Sequence, residues 1–519
     1  MRRNSGPGAE DVERQGKPEA GRDAVIGLDC STSAAKAVAF DRTGRALGEG
    51  RASIPFAALG DDRFEQKPED WWRAACLALR SLTASDPQLR LHALAIANQR
   101  ETVAPLDAAF RPTRPAILWL DGRARGDAAA LADRLGAETL HRITGKPPDP
   151  NPALYKLAWM RREEPEVFAA SRHFAEVHGY LVHRLTGDFA TSTASADPLG
   201  VFDLARHRYA DALLAEIGLD TGQFAPAAPP GTVLGHVTPE AAEATGLPAG
   251  LPIVAGAGDG QAAGLGTNIL KPGRAYLNLG TAVVSGLYSP EYRIGGAFRT
   301  MISGDGAGYV LETSLRSGTL LCDWLSRDLF GADAALIAAL EPAASSLPPG
   351  ADGLFVLPYF LGVMTPHWDS AARGAIIGLA PHHGQAHLLR ALFEGIAHEQ
   401  ASVTRQVAMM SGARIDEIVA IGGGARSDLW CGIIADVMNI PVLRSATLEA
   451  SSLGAAIAAA IGAGWFGNFA EAAGEMAGGI TARFTPDPGR AAVYSRLAAD
   501  YAEIYPRLKG FGAARDGSS

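Results

Sequence analysis

Residues 29–36 read D-C-S-T-S-A-A-K and place a carboxylate (Asp29), three hydroxyls (Ser31, Thr32, Ser33) and a cation (Lys36) in one short stretch. Small residues let successive backbone N–H groups converge on an anion, and hydroxyls add donors. Asp29 has the chemistry to hold Mg²⁺, directly or through water. The same stretch also suits an ordinary polar hairpin turn. Farther along, Leu279-Gly280-Thr281-Ala282 repeats the layout: Gly280 permits close approach and Thr281 offers a hydroxyl. Set across a cleft, the two turns would make two jaws on one polyphosphate. Residues 422–424, G-G-G, would let a flat or anionic ligand lie against backbone and the N-terminus of the helix that follows. A tight packing turn is the competing reading.

G-A-G-D-G-Q-A-A (256–263) follows an apolar run and admits two readings. Gly258, Gly260 and Ala263 formally match a dinucleotide fingerprint, which also wants an acid about 20 positions on for the ribose. No Asp or Glu lies between Gly260 and Pro290, so that reading fails. What remains is Asp259 on a glycine-flanked turn, able to approach a substrate hydroxyl and accept its proton, or to cap the helix that follows. N-Q-R-E-T (98–102) interleaves donors and acceptors at the end of another apolar run, a pattern suited to vicinal hydroxyls. Gln99, Arg100 and Glu101 are its candidates, with Trp119 and Asp121 placed to close the same pocket. Arg100 and Glu101 paired at the surface, and Trp119 in the core, are the plainer alternatives. Walker, nucleophile-elbow and zincin motifs are missing.

These residues need scaffolding. Residues 24–53 read as strand, turn, strand, turn, strand; 68–83 as a helix with Trp72, Ala75, Leu79 and Leu82 on one face; 91–99 as a buried strand. A second meander follows at 251–289, then a long helix at 381–407, and strand, triple-glycine turn and helix at 414–439. Two halves that open alike suggest an α/β protein with a duplicated fold and a boundary near residue 265. The domain expectation is 1–23 a disordered leader, 24–265 and 266–507 the two halves, 508–519 a flexible tail.

Composition agrees. The 519 residues carry 47 Lys+Arg against 56 Asp+Glu, a balance that argues against a nucleic-acid surface. Glycine is 60 of 519, above the usual ~7%, and calls for tight turns and close backbone approaches. Four scattered cysteines make neither a disulfide framework nor a zinc module. The leader has no apolar core of a signal peptide, and no run reaches the ~20 apolar residues of a membrane span. The Ala-rich run 453–466 reads as a buried helix. A cytoplasmic protein is expected.

Taken in order, these motifs resemble the FGGY carbohydrate kinases of the actin, Hsp70 and sugar kinase superfamily. The most specific stretch is 374–394, G-A-I-I-G-L-A-P-H-H-G-Q-A-H-L-L-R-A-L-F-E, which fits the family's second pattern; K-L-A-W-M-R-R-E (156–163) fits the later part of its first pattern, with Ala153 where Pro, Ser or Thr is usual. The resemblance implies two duplicated ribonuclease H-like domains flanking a catalytic cleft, with ATP and Mg²⁺ as cofactors. Asp259 would be the catalytic base and Asp29 a catalytic carboxylate, both serving the metal. Thr32, Ser33 and Lys36 would form the first phosphate loop, Gly280 and Thr281 the second, and Gly423, Gly424 and Ser427 the adenosine motif. Gln99, Arg100, Glu101, Trp119, Asp121 and Asp259 would hold the substrate. Ser31 replaces the glycine usual in the first loop and narrows the room for backbone approach.

N-Q-R-E-T is the glycerol kinase form of its motif, whereas W-x-D-G-R and E-Q-x-P-E-D-W-W look more like xylulokinases. Glycerol kinases carry a Tyr where Asn151 stands and a Gln where Gly260 stands, which suggests a roomier pocket here. The expected partners are ATP and a small sugar or polyol, best matched by a ketopentose such as D-xylulose, with no nucleic acid, no membrane and a homodimer allowed for. A glycerol or tetritol kinase is the alternative, and a non-catalytic nucleotide-binding regulator the alternative of another class.

Overall fold

The computed structural model describes residues 22–511 except Asp61 and Ser370. The expected leader therefore lies outside the described residues over 1–21, as does the tail over 512–519. The first strand, β1 (Arg22–Cys30), starts two residues before the expected Ala24. Asp23 extends it by accepting from Arg90 at 2.9 Å and meeting His92 at 2.7 Å on the neighbouring strand.

β2 (Ala34–Phe40), β3 (Ala46–Ser53), α1 (Pro68–Ser85) and β4 (Leu89–Asn98) follow as the periodicity requires. Trp71, Ala75, Leu79 and Leu82 face the core on α1. Trp72, read from the sequence as part of that face, stands at its rim with the Arg184 guanidinium 4.8 Å from its ring centre. β5 (Val233–His236) and β6 (Pro252–Gly258) complete a six-stranded sheet of order β3-β2-β1-β4-β6-β5. Between β4 and β5 the chain makes an insertion that includes helix α2 (Ala153–Glu163). β6 runs directly into helix α3 (Asp259–Gly266).

The second half repeats the plan. β7 (Arg274–Leu279), β8 (Val283–Ser289), β9 (Arg299–Ile302), β10 (Tyr309–Leu315), the long α4 (Gln385–Ser411), β11 (Glu417–Ile421), α5 (Asp428–Met438) and β12 (Val442–Ser445) appear in chain order. Helix α6 (Ala450–Gly462) and strand β13 (Ile480–Phe484) close it. The sheet order is β9-β10-β8-β7-β11-β12-β13. From β10 to β13 each contact has the same sense as its counterpart from β3 to β5: two antiparallel, two parallel, one antiparallel. These are two ribonuclease H-like units, the duplication that the paired meanders suggested, with β9 added at one edge. No helix among the described residues is long and apolar enough to cross a membrane.

The Ala-rich run forms α6, and its packing explains its composition. It crosses to the first sheet, where Leu453, Ile457 and Ala460 share a core with Val25, Val38, Ala95 and Val254. Backbones approach too closely there for side chains. A Cβ on Gly27 of β1 would lie 1.8 Å from the Ser452 carbonyl oxygen, and one on Gly454 would lie 1.8 Å from that of Ala262 on α3. Bulk at Gly27 would push α6 off β1, and bulk at Gly454 would push it off α3.

Gly454→Ala is therefore expected to destabilise the protein by about 1–3 kcal/mol or more, the range for forcing an extra carbon into a packed interior. Gly432→Ala, on α5 with nothing within 4 Å of the added Cβ, is expected to gain about 0.5–1 kcal/mol. Urea unfolding of both variants beside wild type checks the contrast.

Candidate active site

Strands β1, β4 and β6 of the first sheet and β7 of the second deliver their C-terminal ends to one cleft. There Ser31, Thr32, Arg100, Glu101, Trp119, Asn151, Asp259, Gly280, Thr281, Arg299 and Arg316 are among the residues lining a cavity of about 600 Å³. Sequence positions 32 and 281 thus meet in space because their strands occupy equivalent places in the duplicated sheets.

Asp259 starts α3; its Oδ1 accepts from the Gly260 N–H at 2.7 Å and forms an ion pair with Arg100 Nε, also at 2.7 Å. The side chain is 38% exposed, opening into the cavity from a deep position. Burial raises its pKa and the Arg100 guanidinium opposes that rise. Arg100 Nη1 also donates to Glu312 Oε2 at 2.7 Å. Glu312 receives Arg299 through Oε1 (Nε 2.8 Å, Nη2 2.7 Å) and the Tyr276 hydroxyl at 3.3 Å. Arg299 Nη1 then donates to Glu101 Oε1 at 2.9 Å. The result is one file of alternating charge, Asp259–Arg100–Glu312–Arg299–Glu101, in which Glu312 is fully buried. Burial alone would raise the Glu312 carboxyl, but the two guanidiniums outweigh it and hold the pKa at about 2. Glu312 and Arg299 escaped the reading of the sequence because they stand singly in β10 and β9, without a motif around them.

Gly260 belongs to the same assembly. A Cβ there would lie 2.5 Å from Glu312 Oε2 and 2.9 Å from Arg100 Nη2. The missing side chain leaves room for the ion pair itself.

On the first half, Trp119 Nε1 donates to Thr32 Oγ1 at 2.9 Å, bringing both residues to the cavity wall. Gln99 is buried behind them: its Nε2 donates to Gln66 Oε1 at 2.9 Å, and its Oε1 accepts from Thr102 at 3.1 Å. Gln66, within the E-Q-x-P run, also accepts from Trp71 Nε1 and donates to the Thr32 carbonyl. Asp121 is set back as a brace, accepting from the Phe64 N–H at 2.6 Å and from Arg123 Nε and Nη2, each at 2.8 Å.

Ser31 keeps an ordinary negative φ, so its position does not demand glycine. Its hydroxyl donates to the Ala34 carbonyl at 2.9 Å, across its own turn. The Ser33 carbonyl accepts from the Ile54 N–H, and the Ser33 side chain is exposed. Lys36 is held by Glu49 at 2.9 Å and Glu449 at 2.8 Å, so its charge reaches the cleft through Asp29, whose carboxyl it helps to keep down.

The second turn is fixed from behind: Thr281 O accepts from the Gly318 N–H at 2.7 Å and Gly280 O from that of Thr319 at 2.8 Å. The triple-glycine turn packs on the end of β7. Gly422 has φ 83°, and a Cβ on it would lie 2.4 Å from Asn278 Oδ1; Gly423 has open space where a Cβ would stand, and Gly424 abuts Leu279 and Trp430. Ser427 caps α5, its Oγ accepting from the Trp430 N–H at 3.0 Å.

Asp29 is half-buried, and its buried Oδ1 has no hydrogen-bond partner among the described residues. Burial, then the charges of Asp259 and Glu449, push its carboxyl up to about 8. An unpartnered carboxylate oxygen beside a second carboxylate fits Mg²⁺, which takes one or two carboxylates and completes its shell with phosphate oxygens and water. No group of three or more His, Cys, Asp or Glu among the described residues forms a metal cage, as such a shared ion requires none.

Comparison with known proteins agrees with this architecture. The N-terminal domain model of the FGGY family of carbohydrate kinases matches residues 24–266, and its C-terminal domain model matches residues 275–463. The chain belongs to this family and is an ATP-dependent carbohydrate kinase. A xylulose kinase of Escherichia coli (strain K12) is 30% identical over 492 residues, 93% of this chain and 99% of that protein. A gluconokinase of Bacillus subtilis (strain 168) is 26% identical, over 91% of this chain and 94% of the other. The crystal structure of xylulose kinase from Rhodospirillum rubrum matches with a TM-score of 0.86 at 30% identity, covering 94% of this chain and 99% of that one.

Removing the central carboxylate tests the charge file. Glu312→Gln is expected to destabilise the protein by about 3–5 kcal/mol, the cost of leaving buried charges without their partner. The Glu312 pKa is depressed to about 2 from its ordinary 4.5, so its stabilisation is fully present above the ordinary value and is lost as pH falls through the depressed one. The stability gap between wild type and variant, followed by denaturant unfolding, should narrow as pH falls from 4.5 toward about 2.

Proposed function

We propose that this kinase transfers the γ-phosphoryl group of ATP to a terminal hydroxyl of a ketopentose such as D-xylulose. The observation that carries the reading is the Asp259 carboxylate opening into a cavity walled by Arg100, Glu101, Trp119 and Asn151. Asp259 accepts the proton of the attacking hydroxyl. As a carboxylate it is a weak base before reaction, so proton transfer accompanies or follows formation of the phosphorus–oxygen bond. Arg100 orients Asp259 through their 2.7 Å contact, while Glu101 and Trp119 meet the remaining hydroxyls.

Thr32 and the turn at Gly280 and Thr281 receive the phosphates from opposite sides of the cleft, and Gly423 and Gly424 leave backbone open to the adenosine. Asp29 with Asp259 would hold Mg²⁺, which when bound neutralises phosphate charge. A five-carbon acceptor is supported over glycerol by the small residue Asn151 on the cavity wall. It is supported too by the likeness to xylulose kinases over nearly the whole chain; Gly260 adds no room, because the Arg100–Glu312 pair fills the space that it leaves.

ADP release on D-xylulose, L-ketopentoses, gluconate, erythritol and glycerol tests the substrate. D-xylulose is expected to give the highest kcat/KM, and preferential turnover of gluconate or glycerol overturns the assignment. Asp259→Ala is expected to lose about 10²–10⁴-fold in kcat while still binding nucleotide. Near-normal turnover would remove Asp259 from the role of base.

A further inference from the structure

Lys156, the lysine of the K-L-A-W motif, has no part in the chemistry above, yet it is fully buried. It projects from α2, where Ala153, Leu154, Tyr155, Leu157 and Met160 are also buried and fix its point of origin. Its Nζ donates to the Glu101 carbonyl at 3.0 Å and to the Asn151 carbonyl at 2.5 Å. An ammonium withdrawn from water is costly to bury, and here main-chain carbonyls receive it. Both carbonyls belong to residues that line the cavity. Glu101 moreover holds left-handed backbone, φ 63°, a conformation that a non-glycine residue keeps only when its surroundings impose it. From that backbone its carboxylate reaches Arg299 at 2.9 Å. The lysine thus grips the two segments, 98–102 and 149–151, that form one wall of the cavity.

We infer that Lys156 is a positioning residue for the acceptor: it fixes the carbonyls of Glu101 and Asn151, and with them the wall that meets the non-reacting hydroxyls. The inference rests on the reading of this wall as the acceptor's. The charged groups facing the ammonium are Glu101, Asp121 and Asp149, which favour it, and Arg123, which opposes it. Burial outweighs the three acids and brings the lysine down to about 7. Its charge is therefore present below neutral pH and lost above it, and the grip on the carbonyls weakens in that direction.

The test compares wild type with Lys156→Met, an uncharged side chain of similar length, on whichever acceptor of the panel the wild-type enzyme phosphorylates. The acceptor KM is expected to rise about tenfold or more, with kcat and the KM for ATP within about threefold, the signature of lost acceptor binding. In wild type the acceptor KM should rise between about pH 6 and 8 as the ammonium is lost, and in the variant it should stay level across that range. A variant with the wild-type acceptor KM, or one whose loss falls equally on ATP, overturns the inference. Should Lys156→Met not fold, the wild-type profile decides, and an acceptor KM flat across neutrality overturns it. Turnover of another acceptor in place of D-xylulose counts against the substrate assignment alone, because the lysine is judged on the acceptor in use.

Discussion

Alternating charge in a dry place is the constraint around which this cleft is organised. Asp259, Arg100, Glu312, Arg299 and Glu101 form one file in which each neighbour neutralises the next. Arg100, Glu101 and Asp259 come from the first half, Arg299 and Glu312 from the second, so the file also ties the halves together at the floor of the cleft. Three carboxylates against two guanidiniums leave one negative charge in excess, and both ends of the file, Asp259 and Glu101, open to the cavity. The ion pairs thus do two things at once. They make a buried interface tolerable, since each charge alone would be expensive to bury, and they place a fixed pair of acceptors at the cavity wall.

Backbone proximity is the complementary device. At Gly260 the absent side chain admits the Arg100–Glu312 pair, and at Gly454 and Gly27 it lets α6 pass against α3 and β1. Neither use concerns a phosphate. The glycine excess of the composition therefore serves helix packing and ion-pair geometry as well as the turns at 280 and 422–424, and only the latter could be anticipated from turn chemistry.

Much of the fold was legible because both sheets begin with the same signal, a short apolar strand, a tight turn and a second strand, and because the long helices have uninterrupted apolar faces. Adjacent aromatic residues defeated periodicity: Trp71 and Trp72 differ by one position, and the core selects the former. At the site, residues within compact motifs could be nominated from their types, and the cavity gathers Thr32, Arg100, Glu101, Trp119, Asp259, Gly280 and Thr281. Residues whose surroundings decide their use could not be told apart. Asp121 and Gln99 lie behind the wall as braces, Lys36 is held between two glutamates, and Ser31 turns its hydroxyl onto its own loop. Arg299 and Glu312 had no local signal at all, because what singles them out is a partner some 200 positions away in the chain.

Helix α6 also has a bearing on how the molecule is made. Its residues fill the interior of the first sheet, against Val25, Val38 and Val254, although they are synthesised after almost everything else. An emerging chain thus carries one apolar face of that sheet only partly covered, by Ala194, Ala196, Phe202 and Leu204 among others, through most of the second half. The first unit therefore completes its core only when residues 450–462 are in place, and the two halves, alike in plan, are not equals in assembly. The second can close its sheet largely from its own segment, whereas the first waits for a helix from it.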